Sequence, residues 1–419
     1  MRQPKPKTWV HRIAWTLVAV CWLLAVSASF AADEEPSAPA PVRAQYVRQI
    51  IIEAQEFSFD PLKEYQLGEE AAEEIKQSVK LVNDDARRQK LIQMVNLLKP
   101  YSPRPQVDYQ VFLVEDPEVN AFALPGGFFF VYTGLLEYAK SDDELAGVLA
   151  HEMAHNCLYH GLRQLKKAEQ TQEMITWAEL AMILAGGNTN PADIITAGSL
   201  VLQGVMNGYS QEYEFQADAL GTDILARAPR YNPAGLMAFS ERMAHDDVLQ
   251  GKNFEPNLGV FATHPDMPAR VMQMYQQLRE MGIQVKRRAI YNPLEAKVRP
   301  ALVKGQHVAE VVIGERALYA TYVAGDDAEG APDPELSMAR AQELAANLNK
   351  ALVEYDIQLA DLSVGRVGEA WGIYAINKAL LAVSTSEAEL AGLTEQALAE
   401  KVVKQLQGLI WQERLSRAY

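Results

Sequence analysis

The chain has 419 residues, 49% hydrophobic and 22% charged, which leaves room for two or three domains and excludes a disordered or fibrous protein. Its formal net charge of −15 argues against nucleic acid or anionic lipid as a partner.

The first thirty residues stand apart. Arg2, Lys5, Lys7 and Arg12 come without an acid, the apolar run IAWTLVAVCWLLAV follows, and SASFAA supplies small residues. This is the pattern of a secretory signal peptide, with Ser29 and Ala31 at the −3 and −1 positions, so cleavage is expected after residue 31. An uncleaved anchor is the alternative, because residues 13–32 are uncharged and long enough to span. Cys21 lies inside the apolar run behind the bulky Val20, which disfavours a lipoprotein signal. Removing residues 1–31 takes away four of the 39 basic side chains and none of the 54 acidic ones, so the balance moves to −19. Only Cys157 then remains, and an exported monomer has no disulfide.

Residues 32–45, rich in Ala, Pro and Glu, read as a disordered leader. Helical patterns follow at roughly 62–79 and 84–98. The stretch DYQVFLVEDPEVNAFALPGGFFFVYTG reads as β structure, its two apolar runs flanking a turn at Pro125-Gly126-Gly127. Ser141 and Glu144 form a capping box, Asp142 and Asp143 suit the positive end of the helix dipole, and Gly161 is a natural stop. The helix so bounded carries HEMAHNCLYHG, residues 151–161, in its interior. Two later apolar patches, AELAMILAGG and DIITAGSLVLQGVM, are too short to cross a bilayer. SQEYEFQADALGTDILARA is helical, and more helix runs to about 285.

The pattern changes near 286–305. Beyond it come a hairpin in HVAEVVIGERALYATYV, a polar loop, a helix, three short strands with Asn377-Lys378 at one turn, and a final helix. The expected fold class is α+β. Residues 46–290 form a mostly helical domain with a small sheet, 291–305 a linker, and 306–419 a separate α+β module. That module shows no ligand spacing, nucleophile arrangement or phosphate loop.

His151 and His155 are four residues apart, so on a helix both imidazoles leave one face and can share a tetrahedral zinc. Glu152, one step round, is placed to take a proton from a water that the metal acidifies. The apolar LAGVLA before the motif puts it on a buried helix, where two His and a Glu are costly unless they bind something. His160 lies about 140° round the helix from His155, points elsewhere, and is expected to satisfy carbonyls at the helix end. A third ligand must come from another element. Glu214 and Asp218 share a face and could divide the tasks of ligand and histidine partner, though spacing does not single out this acidic pair. Cys157 reads as a small buried side chain.

NAFALPGG, GLL, DELAGVLAHEMAH and the E-x-x-x-D of EFQAD, in that order, resemble the gluzincin family of HtpX, the CAAX prenyl proteases and the β-barrel assembly-enhancing protease. The resemblance covers roughly residues 60–285. It implies a gluzincin metallopeptidase domain with one Zn2+ per chain, His151, His155 and Glu214 as ligands, Glu152 as general base and Asp218 supporting the ligands. The family often has Ser-Arg where this chain has Ser210-Gln211. ATHPDMPARV resembles the family's His-Pro motif, and His264 could serve as a fourth ligand or contact the oxyanion. The strand in NAFALPGG could pair with an extended substrate.

The leading expectation is an exported zinc metalloendopeptidase acting on protein or peptide substrates, with misfolded envelope proteins and protein quality control as the setting the resemblance suggests. A bacterial periplasmic location and peripheral membrane association are compatible with it. The rival is a latched or catalytically silent zinc protein acting as a chaperone-like binding module.

Overall fold

A computed structural model of the chain describes residues 44–57, 59–83, 85–169, 191–250, 267–325 and 331–415. The expected signal peptide, most of the expected leader and His264 lie outside the described residues. Among those described, no helix is long and apolar enough to cross a membrane.

The described chain opens with helix α1, Ala44–Phe57, a segment not expected to be helical. Val47, Ile50 and Ala54 fall on one face and are buried, so packing holds it. Helices α2 (Pro61–Ser78) and α3 (Asp85–Leu98) follow close to the expected positions. Asp60 caps α2 by accepting from the Leu62 and Lys63 amides.

The first sheet has strands β1 (Gln110–Val114), β2 (Ala121–Leu124) and β3 (Phe128–Tyr132) in the order β1-β3-β2. β1 runs parallel to β3, and β2 antiparallel to it with Phe122 opposite Phe130, so β2 is an edge strand. The turn between β2 and β3 needs Gly126 at φ 74° and Gly127 at φ 96°, where other residues are strained.

The short helix α4 (Thr133–Tyr138) leads to α5, Asp142–Cys157. Ser141 caps it through the Glu144 amide, but the Glu144 carboxylate turns to the Lys140 amide and Arg242. The helix ends four residues before the expected stop. Tyr159 takes the left-handed turn at φ 56°, and a second helix, α6 (His160–Glu169), begins there with Gly161 inside it. That backbone costs of order 1–3 kcal/mol for a non-glycine. It is offset by packing of the Tyr159 ring on Arg104, 4.2 Å away, and on Phe57.

Helices α7 (Pro191–Met206), α8 (Gln211–Arg227), α9 (Gly235–Gln250) and α10 (Met267–Glu280) complete this part, followed by the one-turn α11 (Arg287–Ile290). Close approach of α8 to α5 depends on Gly221, where a Cβ would sit 3.1 Å from the His151 amide nitrogen. Gln273 and Gln277 of α10 donate to the Phe215 and Ala219 carbonyls, tying α10 to α8.

A second core gathers residues from Leu294 to Ile410. Strands β4 (Ala296–Val303), β5 (Gln306–Ile313) and β6 (Arg316–Thr321) form an antiparallel sheet in that order. The stretch expected to be a linker therefore carries β4. Its outer position leaves most side chains wet and tolerates Pro300, so no apolar alternation announces it. Helix α12 (Pro334–Glu354) packs on this sheet, and β7 (Leu362–Val367), β8 (Ala370–Ala375) and β9 (Lys378–Ala382) form another. Helices α13 (Thr385–Ala391) and α14 (Glu395–Leu415) end the described chain. The architecture is α+β.

Candidate metal centre

Helix α5 presents His151 and His155 one turn apart, both buried. Their Nε2 atoms are 3.0 Å apart. Helix α8 brings the buried Glu214 against them, with Oε2 3.5 Å from His151 Nε2 and Oε1 3.3 Å from His155 Nε2. Among the described residues this is the one group of three His, Cys, Asp or Glu side chains whose ligand atoms converge closely enough to hold a metal.

The fit to zinc can be judged from these distances. Metal–ligand bonds of about 2.0–2.1 Å in a tetrahedron place the ligands about 3.3 Å from one another. The imidazole nitrogens, 3.0 Å apart, and their distances of 3.3 and 3.5 Å to the two oxygens of the Glu214 carboxylate are of that size. The donor set is two imidazoles and a carboxylate, which suits zinc and leaves the fourth position open.

Charge is balanced around the donors. Asp218, one turn after Glu214, has Oδ1 2.9 Å from His151 Nδ1. Arg270 of α10, 2% exposed, bridges both acids: Nε is 2.6 Å from Asp218 Oδ2 and Nη1 is 2.8 Å from Glu214 Oε2. Sequence reasoning missed Arg270, and no spacing rule ties it to α8; it lies in the stretch singled out for His264. It supplies a buried positive charge shared by the two acids.

These contacts set the protonation of the site. Burial pushes the His151 imidazole down, but hydrogen bonds and charge from Asp218 and Glu214 outweigh it and lift the pKa to about 9. Without metal the site therefore attracts a proton, as expected of a pocket with surplus negative charge. Burial raises the Asp218 carboxyl, yet Arg270 and His151 more than reverse this and hold it below the ordinary range. Arg270 is held firmly charged, Asp218 and Glu214 overcoming its burial.

Glu152 is 2% exposed, and its Oε2 accepts from the Ala123 amide of β2 at 3.1 Å. Asn156, one turn on, donates from Nδ2 to the Leu124 carbonyl at 3.0 Å. One face of α5 thus ties down the edge strand next to the histidines. Glu64 fixes the turn after it by accepting from the Gly126 amide and pairing with the buried Arg104. Beside His151, Glu152 and Arg270 lies a cavity of about 20 Å3, enough for about one water.

His160 differs from expectation. The left-handed Tyr159 swings it back, so it is buried with Nδ1 2.9 Å from His155 Nδ1 and Nε2 3.1 Å from Gln216 Oε1. It serves no helix-end carbonyl. Burial and the neighbouring His155 hold its pKa well below the ordinary value, so its ring is neutral. Tyr209 stacks on His155 with ring centroids 4.0 Å apart, and Tyr213 on His160 at 4.4 Å. Cys157 is buried 3.7 Å from the Tyr109 hydroxyl.

Residues 85–278 match the profile of peptidase family M48. The mitochondrial metalloendopeptidase OMA1 of Schizosaccharomyces pombe is 30% identical over 43% of this chain and 49% of its own length. The β-barrel assembly-enhancing protease of Escherichia coli is 24% identical over 52% of this chain and 44% of its own. A putative β-barrel assembly-enhancing protease of Vibrio cholerae is 29% identical over 60% of this chain and 48% of its own. The chain spans about half the length of the curated relatives it matches.

Proposed function

Residues 85–278 belong to peptidase family M48, and on that premise we propose that the chain is a zinc metalloendopeptidase with His151, His155 and Glu214 as metal ligands. The observation that carries the proposal is the convergence of two imidazoles and a carboxylate within 3.0–3.5 Å of one another, with Glu152 on the helix of the two histidines. A zinc ion held there supplies a Lewis acid that polarises the scissile carbonyl and acidifies a water. Glu152 is the general base: its carboxylate takes the proton from the attacking water and passes it to the leaving amine. The Ala123 amide orients that carboxylate. Asp218 holds the Nδ1 proton of His151 and Arg270 holds Asp218. The outer edge of β2 orients an extended peptide by backbone pairing.

Residues 46–290 would form the peptidase domain and 306–419 an appended module, with β4 of the former linker stretch joining the module's sheet. The N-terminal sequence supports export, and the relatives support protein substrates, with misfolded envelope proteins the class proposed here. His264 remains a proposed fourth ligand or oxyanion contact. A second reading, a latched zinc protein that binds rather than cuts, is favoured by one observation. The donors and Glu152 are almost fully buried beside a cavity of about 20 Å3, which admits no peptide.

Casein cleavage by the zinc-loaded chain, beside Glu152→Gln, separates the two. Cleavage that falls by about 10²–10⁴-fold in the variant, with zinc retained, supports the peptidase. Zinc bound by both proteins with no cleavage by either supports the latch.

A further inference from the structure

We propose that His160 and Gln216 are positioning residues that fix the tautomer of His155, so that its Nε2 lone pair faces the metal position. This rests on the assignment of His155 as a ligand.

The chain of reasoning starts at Gln216. Its side-chain Nε2 donates to Glu212 Oε1 at 3.4 Å, and its Oε1 faces the Arg163 guanidinium at 3.5 Å. A carboxylate only accepts and a guanidinium only donates, so the amide can point one way. Its oxygen therefore meets His160 Nε2, 3.1 Å away, and that nitrogen must carry the hydrogen. Neither ring nitrogen of the buried His160 faces a carboxylate, and a neutral imidazole has a single N–H. His160 Nδ1 is then a bare acceptor, 2.9 Å from His155 Nδ1. His155 must donate across that contact, and a neutral His155 then keeps its Nε2 as a lone pair beside His151 Nε2 and Glu214 Oε1.

The relay exists because the backbone reverses at Tyr159. Had α5 continued, His160 would lie about 140° from His155 and could not reach it. Tyr209 and Tyr213 stack on the two imidazoles and hold their planes. The two ligand histidines are thus oriented by different means. His151 is held by an ionic pair, Asp218 with Arg270, and His155 by a neutral imidazole and an amide.

Two measurements on the full-length protein test this. Competition with a chromophoric chelator gives zinc affinity for the wild type, Gln216→Leu and Gln216→Glu. Loss of the acceptor in Gln216→Leu should weaken zinc by about 10–100-fold, whereas Gln216→Glu keeps an acceptor and should stay within about threefold. In metal-free wild type labelled with 15N-histidine, a coupling across the His155–His160 hydrogen bond should appear, with the proton on His155 Nδ1. Unchanged affinity in Gln216→Leu, or the proton on His160 Nδ1, overturns the proposal. The resonance measurement still decides if Gln216→Leu does not fold. Failure of the wild type to bind zinc at all would instead remove the metal assignment, while the proton's position still settles the relay.

Discussion

Among the buried carboxylates of the described residues, one cluster in each core makes a comparison, and the two are built to opposite ends. In the C-terminal core, Glu387 is 1% exposed and takes donors on every side: the Tyr319 hydroxyl at 2.8 Å, Arg340 through Nε and Nη2, and the amide and hydroxyl of Ser384. One anion meets one cation, and nothing in the cluster calls for a further ligand. In the N-terminal core, Glu214 and Asp218 share the single guanidinium of Arg270, while two imidazole Nε2 atoms converge on Glu214. Two carboxylates meet one guanidinium there, and the cluster is left short of a positive charge. A buried polar group costs little when its partners are complete. Burial alone therefore does not mark a site; the imbalance of charge does.

The comparison is most sharply tested by paired substitutions. Glu152→Gln should cut peptide cleavage by about 10²–10⁴-fold and leave the thermal midpoint nearly unchanged. Glu387→Gln should do the reverse, costing about 2 kcal/mol of stability, below the range for a fully buried pair because Arg340 is 30% exposed. Turnover per folded molecule should not move. A Glu387 variant that folds normally yet loses cleavage would break the distinction.

The next effect is a difference in rescue. Arg270→Met strands two buried carboxylates and should cost about 3–5 kcal/mol in the metal-free protein. Added zinc should recover much of the loss, because it supplies the missing positive charge. Arg340→Met should lose less and gain no more from zinc than the wild type gains. Denaturant melts with and without zinc measure both, and equal zinc effects in the two variants would show that the N-terminal cluster is no more cation-hungry than the other.

A smaller effect is expected from pH. The folded-state pKa of His151 is raised, to about 9 from an ordinary 6.5. Its contribution to stability is therefore fully present below pH 6.5 and lost as pH rises through about 9. The thermal midpoint of the metal-free protein should fall across that window, and zinc, by replacing the proton, should flatten the profile. A metal-free profile that is flat or rises would contradict the proton-holding site.

Much of the site was legible because it depends on one helix. The four-residue spacing of His151 and His155 and the apolar approach to them need only helical geometry. Glu214 and Asp218 required the family resemblance, since acidic pairs at that spacing are common. Arg270 could not be read at all: its role comes from the packing of α10 on α8. His160 was misplaced because a left-handed tyrosine ended the helix where Gly161 was the obvious stop, and only the tertiary support from Arg104 and Phe57 makes Tyr159 tolerable there. In the fold, α1 and β4 were overlooked for related reasons. The first fully buries only three apolar side chains in a short segment, and the second is an outer strand with few buried side chains.

The most direct measurement is zinc content by elemental analysis after chelation and re-equilibration with zinc, for the wild type and for His155→Ala with Glu214→Ala. One zinc per wild-type chain and essentially none in the double variant is the expected result. No zinc in the wild type, or one still bound in the variant, would contradict the claim that these converging donors form the metal centre.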